Sequence, residues 1–184
     1  MNKIKILGIC GSMRANSYNL TLLKEAVKLV PEDAELKFIT LHNLPFFNQD
    51  LEHTDIPEVT AFKKELESAD AILFASPEYN YSIPGVLKNA IDLGSRPWGE
   101  NSWAGKPAAI IGASIGPFAT SRMQYHLRQV MVTLDMHPLS QPEFMLGVAP
   151  EKINEAGELT DEPTKQRLAD TLQALVNWTK QLNK

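Results

Sequence analysis

Two hydrophobic rhythms alternate along the chain, and their alternation predicts the architecture. Ile4 to Cys10 is a short run with apolar residues on both faces, the pattern of a strand buried on two sides. A polar stretch, Gly11-Ser12-Met13-Arg14-Ala15-Asn16-Ser17-Tyr18-Asn19, follows it. Leu20, Leu23, Val27 and Val30 then fall at helical spacing until Pro31. Leu36 to Leu41 predicts a second strand, and Lys37 and Thr40 mark it as an edge. After an apolar loop, His42 to Asp50, a helix is predicted from Pro57 to Ser68 with Val59, Phe62 and Leu66 on one face. Ala71 to Ala75 is the most apolar strand, and it stops at Ser76-Pro77-Glu78-Tyr79-Asn80-Tyr81-Ser82-Ile83-Pro84-Gly85. A helix from about Val86 to Leu93, a loop from Arg96 to Lys106 and a strand from Pro107 to Gly112 come next. The loop Ala113-Ser114-Ile115-Gly116-Pro117 leads to a helix from about Thr120 to Leu134. A short fifth strand is predicted around Leu139 to Phe144, and Leu168, Leu172, Leu175 and Leu182 mark a last helix.

Five alternations of strand and helix, with no composition break and no internal repeat, predict one α/β domain with a parallel sheet and right-handed crossovers. In such sheets ligands sit beyond the carboxyl ends of the strands. The loops after strands one, three and four should therefore converge on one pocket.

The first of these loops points backbone N–H groups and a helix N-terminus at one spot, the makings of an anion site. Ser12, Ser17 and Asn19 add short donors, and Arg14 adds a permanent charge. Neither a Walker A pattern nor three dinucleotide-type glycines are present, so a terminal monophosphate suits the loop better than a pyrophosphate. The plainer reading is a helix cap at Ser17 or Asn19, which leaves Arg14 unexplained. At the second loop two readings stand: backbone groups of Pro77 to Asn80 with Tyr79 against a flat heterocycle, or a proline-shaped turn before a helix. The third loop either contacts the same ring through its backbone or the Ser114 hydroxyl, or is simply a turn signalled by Gly116-Pro117.

Composition trims the alternatives. The 184 residues suit a single domain, and a net charge of −4 argues against nucleic acid. One cysteine excludes an internal disulfide and suits a reducing compartment; Cys10 reads as core packing. Four scattered histidines show no metal-ligand spacing. No apolar run is long enough for a membrane span, and the first residues, from Met1, lead into a strand with no signal-peptide core. A cytoplasmic protein is the expectation.

The motifs together resemble the NAD(P)H-dependent FMN reductase family. Gly11-Ser12-x-Arg14-x-x-Ser17-x-Asn19 is similar to its phosphate loop, and Pro77 to Gly85 with Leu87-Lys88-Asn89-Ala90-Ile91-Asp92 to its second signature. Leu44-Pro45-Phe46, Gly105-Lys106-Pro107 and Tyr125-His126-Leu127-Arg128 match as well, and the bacterial quinone and chromate reductase branch is most similar. The resemblance implies a flavodoxin-like three-layer fold, a five-stranded parallel sheet of order 2-1-3-4-5, and one FMN per subunit. It assigns Ser12, Arg14, Ser17, Asn19 and Leu20 to the phosphate. Pro77, Glu78, Tyr79 and Asn80 fall to the isoalloxazine, with Ser114 beside it. Glu78 is expected to hydrogen-bond nearby backbone or a partner subunit, not to act as a base.

The implied reaction is ping-pong: hydride from NADPH or NADH to FMN, then transfer to a quinone or another soluble acceptor such as chromate, an azo or a nitro compound. No catalytic dyad is required, because the cofactor carries the chemistry. The alternative is a flavodoxin-like FMN-binding electron carrier without its own NAD(P)H reaction. Relatives are dimers or tetramers, and the helices after strands three and four, with Arg122, His126 and Arg128, are the implied contact surface. Trp98 and Trp103 are expected in a loop beside the predicted cofactor edge, where they read either as a cover over the flavin or a subunit contact, or as simple loop packing. Many relatives carry paired glycines after the position of Ser114; this chain has Gly116-Pro117-Phe118 on the nicotinamide and substrate side.

Overall fold

The computed structural model describes residues 2–183; Met1 and Lys184 lie outside them. β1 (Ile4–Cys10), β2 (Ala34–Thr40), β3 (Ala71–Ala75) and β4 (Pro107–Ala113) pair in parallel, in the order β2-β1-β3-β4. Between them lie α1 (Tyr18–Leu29), α2 (Pro57–Ser68) and α3 (Gly85–Gly94), and α4 (Ser121–Thr133) follows β4. The fifth position departs from the predicted continuous strand at Leu139 to Phe144. It is shared by β5 (His137–Pro138), on the start of β4, and β6 (Phe144–Leu146), on its end. Pro142 falls in the gap, where a residue without an N–H cannot continue a ladder. α5 (Glu162–Leu182) closes the described chain. The order 2-1-3-4-5 and helices on both faces agree with the expected doubly wound arrangement.

Alternation within β1 feeds two separate cores. Ile6 and Cys10 pack with Leu22, Leu23, Leu168, Leu172 and Leu175 from α1 and α5. Leu7 and Ile9 pack with Phe62, Leu66, Leu87, Ile91, Met123 and Leu127 from α2, α3 and α4. The buried stripe of α1 is rotated from the predicted one: Leu22, Leu23 and Ala26 are inside, whereas Val27 is 40% exposed. Leu182 likewise leaves the α5 stripe, and Val176 takes the inner position.

The tryptophan loop lies elsewhere than predicted. Lys106 Nζ donates to Ala69 O at 2.8 Å, which places the end of that loop at the amino-terminal edge of the sheet. Trp103 is fully buried against Phe62 and Phe74, and its Nε1 donates to Ile91 O at 3.1 Å. Trp98 is exposed beside the carboxyl ends of α3 and α4. A loop that precedes β4 must start the strand, so both side chains stand away from the predicted cofactor edge.

Candidate functional site

Because β1, β3 and β4 are adjacent and parallel, their carboxyl ends and following loops share one edge. Gly11 N donates to Ala75 O at 2.8 Å, and Ser76 N to Ile111 O at 3.1 Å, so each loop leaves its strand locked to the neighbour. Gly11 has no room for a side chain: a Cβ would stand 2.5 Å from Ser76 Oγ.

The first loop is a shell of donors. Ser17 caps α1, its Oγ accepting from Asn19 N at 3.2 Å and Leu20 N at 3.4 Å. Ser12 Oγ accepts from Arg14 N at 3.3 Å. Among the described residues, the N–H groups of Ser12, Met13, Ala15, Asn16 and Tyr18 find no acceptor. Arg14 pairs with no carboxylate among those residues, and the first turn of α1 holds no acidic side chain. Donors without acceptors, a free guanidinium and the positive end of a helix suit a phosphate dianion. Asn19 plays another part. It is buried, its Nδ2 donates to Ala113 O at 3.1 Å and its Oδ1 accepts from Ala113 N at 2.8 Å. The side chain ties α1 to the end of β4. Cys10 lies beneath the loop, and burial pushes its thiol pKa up, the opposite of a reactive thiolate.

The second loop makes a tight reversal. Tyr79 N donates to Ser82 O at 3.1 Å and Ser82 N to Tyr79 O at 2.9 Å, with Asn80 and Tyr81 at φ 50° and 65°. Two left-handed residues in a row are the mark of a type I′ turn. For Tyr81, a bulky residue, that conformation is strained and needs outside support. Arg122 supplies it, its guanidinium 3.8 Å from the Tyr81 ring centroid and 5.8 Å from that of Phe118. Pro77 is buried, while Tyr79 and Asn80 face solvent.

Glu78 is a cap. Its Oε2 accepts from Met123 N at 3.1 Å in the first turn of α4, and its Oε1 from Arg122 Nε at 2.6 Å. Backbone of the same chain thus satisfies the carboxylate. Ser114, half-buried at the start of the third loop, accepts on its Oγ from Gly116 N at 3.2 Å. The route of Gly116-Pro117-Phe118 is fixed from behind, since a Cβ on Gly147 would meet Pro117 O at 2.8 Å.

Two participants escaped sequence reasoning. Arg122, read only as surface, is the clamp between the second and third loops. Asn89 braces the Leu44-Pro45-Phe46 loop, accepting from Phe47 N and donating to Pro45 O, both at 2.8 Å. The signal was available for Asn89, a lone amide within an apolar helix. For Arg122 no local pattern reveals a partner 44 residues away. Outside the site, no helix is long and apolar enough to cross a membrane, among the described residues.

Comparison with known proteins places the chain in a class. A family model described as NADPH-dependent FMN reductase matches residues 4–151. The chain is 47% identical over 180 residues to an NAD(P)H-dependent FMN reductase of Pseudomonas aeruginosa, covering 97% of each. It is 50% identical over 179 residues to an NAD(P)H:quinone oxidoreductase of Solanum tuberosum, covering 94% of this chain and 91% of the other. Among solved structures it is similar to FerB, the flavoenzyme NAD(P)H:(acceptor) oxidoreductase of Paracoccus denitrificans, with TM-score 0.87, 37% identity and coverage of 97% and 98%. An archaeal flavodoxin, at TM-score 0.59 and 13% identity with coverage of 98% of this chain and 100% of the other, shares the fold alone. The protein is a flavodoxin-like, NAD(P)H-dependent flavin oxidoreductase. More narrowly, the chain belongs to the NADPH-dependent FMN reductase family.

Proposed function

We propose that the protein reduces a quinone, or a similar small soluble acceptor, with NADPH or NADH by a ping-pong route. It would do so as one domain over residues 1–184, a homodimer or homotetramer in the cytoplasm. The observation that carries the reading is the donor shell of the first loop, set on the same edge as the second and third loops. FMN, when bound, supplies the two-electron relay between nucleotide and acceptor.

Around that group the protein binds and orients. Ser12, Arg14 and Ser17, with the loop's acceptor-free backbone N–H groups and the helix start at Leu20, hold the phosphate; Asn19 fixes the loop to β4. Pro77, Glu78, Tyr79, Asn80 and Ser114 form the ring side. There Glu78 holds the start of α4, and the backbone of Pro77 to Asn80 offers its donors and acceptors to the heterocycle. No side chain is asked to move a proton, which agrees with a Glu78 carboxylate spent on a cap. Exposed Tyr81, Phe118, Tyr125 and Val132 on and beside α4 support contact between subunits on that face.

Anaerobic mixing of the yellow protein with NADPH or NADH tests the reading. Either nucleotide should bleach the flavin, and a quinone should restore the colour. If neither bleaches it, the protein is an electron carrier and the proposal falls.

A further inference from the structure

The reversal from Tyr79 to Ser82 closes on itself, and the two backbone bonds between its ends fix its shape. They do not fix how it stands on the rest of the molecule. α4 does that at two points. Arg122 and Met123 hold the Glu78 carboxylate just before the reversal. One turn further along the helix, His126 Nδ1 stands 2.9 Å from Ser82 Oγ, at the far end of the reversal. Residues 122 and 126 share a helix face and lie about 6 Å apart along its axis. A loop anchored at one point can still pivot about it, and a second anchor removes that freedom.

Two further observations give the second anchor weight. Asn80 and Tyr81, both at positive φ, lie between the two anchors, and strained backbone persists only where its surroundings over-determine it. Among the described residues, no side chain other than His126 hydrogen-bonds to residues 79–82 from outside the reversal. A hydroxyl can donate to an imidazole nitrogen or accept from it, so the bond survives either tautomer of His126.

We infer that His126 is a positioning residue: acting through Ser82, it sets how the Tyr79–Asn80 backbone is presented to the flavin ring. The inference rests on the ring-side reading above and adds a residue to it. His126 moves no proton. Apoprotein of the wild type, His126→Ala, Ser82→Ala and the double variant should be titrated with FMN, and the midpoint potential of each bound flavin measured. Each single variant should bind FMN about three- to tenfold more weakly, the worth of one hydrogen bond. Each should also shift the potential in the same direction. The double variant should be no weaker than either single one, because the two side chains serve one bond. His126→Gln, which keeps a polar group facing Ser82, should recover most of the affinity and of the potential. A bond that only holds the fold together would lower the urea midpoint of the apoprotein and leave the flavin potential at its wild-type value. That result overturns the inference, as do additive losses in the double variant. Failure of FMN to bind the wild-type apoprotein overturns the ring-side reading with it.

Discussion

Arg14 and Glu78 are both charged residues of the candidate site, yet the structure gives them opposite employment. Arg14 is exposed and unpaired among the described residues; Glu78 is occupied by Arg122 and by the N-terminus of α4. Arg14→Ala should therefore act on the ligand. Loss of a charge-assisted contact costs about 1.5–3 kcal/mol of FMN affinity, while the apoprotein melts as before; unchanged affinity by titration would reject the cradle. Glu78→Ala should act on the fold. Removal of the same kind of bond at a helix start costs about 1.5–3 kcal/mol, or roughly 3–12 °C in Tm for a chain of this size. Glu78→Gln, which keeps an acceptor for Met123 N, should bleach with NADPH at close to the wild-type rate. A large loss of that rate with the fold intact would make Glu78 a proton-transfer group after all.

Elements were legible to the degree that they are locally determined. The buried strands β1, β3 and β4 show in the sequence as apolar runs, and the convergence of three loops follows from parallel order alone. What failed depended on distant neighbours. The face of α1 turned by one position because α5, over 130 residues later, packs on Leu22 and Ala26. The tryptophan loop was assigned to the wrong edge because aromatic content does not encode which end of a strand a loop joins; chain order does. The tie of Asn19 to Ala113 was hidden because it spans 94 residues. That tie yields a prediction at the scale of the element. Asn19→Ala leaves a buried N–H and C=O of β4 without partners, at about 1–3 kcal/mol for each group. Urea unfolding of the apoprotein should show a lower midpoint with unchanged slope. A stability equal to wild type, with FMN affinity lost, would return Asn19 to the phosphate.

At the scale of the whole molecule, α5 is the lid of one core, and a carboxylate holds each of its ends. Asp161 caps the first turn, accepting from Thr164 N at 3.0 Å and from Thr164 Oγ1. Near the other end, Lys180 pairs with Asp33, just before β2. The Thr164 hydrogen bonds hold the Asp161 carboxyl below its ordinary pKa of 3.8, and the Lys180 bond does the same for Asp33. A carboxyl depressed in the fold binds fewer protons there than in the unfolded chain. Its stabilisation is complete above the ordinary value and disappears as pH falls through the folded one. The alkaline limb is mixed. Burial lowers the Lys106 pKa, a cost relieved as pH rises, whereas the Glu143 hydrogen bond raises that of Tyr125, a gain lost as pH rises. The acid limb therefore carries the clean test. Stability should fall as pH drops below 3.8, and amides of α5 should lose hydrogen-exchange protection before those of β3. The double variant Asp33→Asn, Asp161→Asn should be less stable at neutral pH and fall more shallowly with acid. Parallel acid profiles for variant and wild type would show that the two ends of α5 do not set the acid limit.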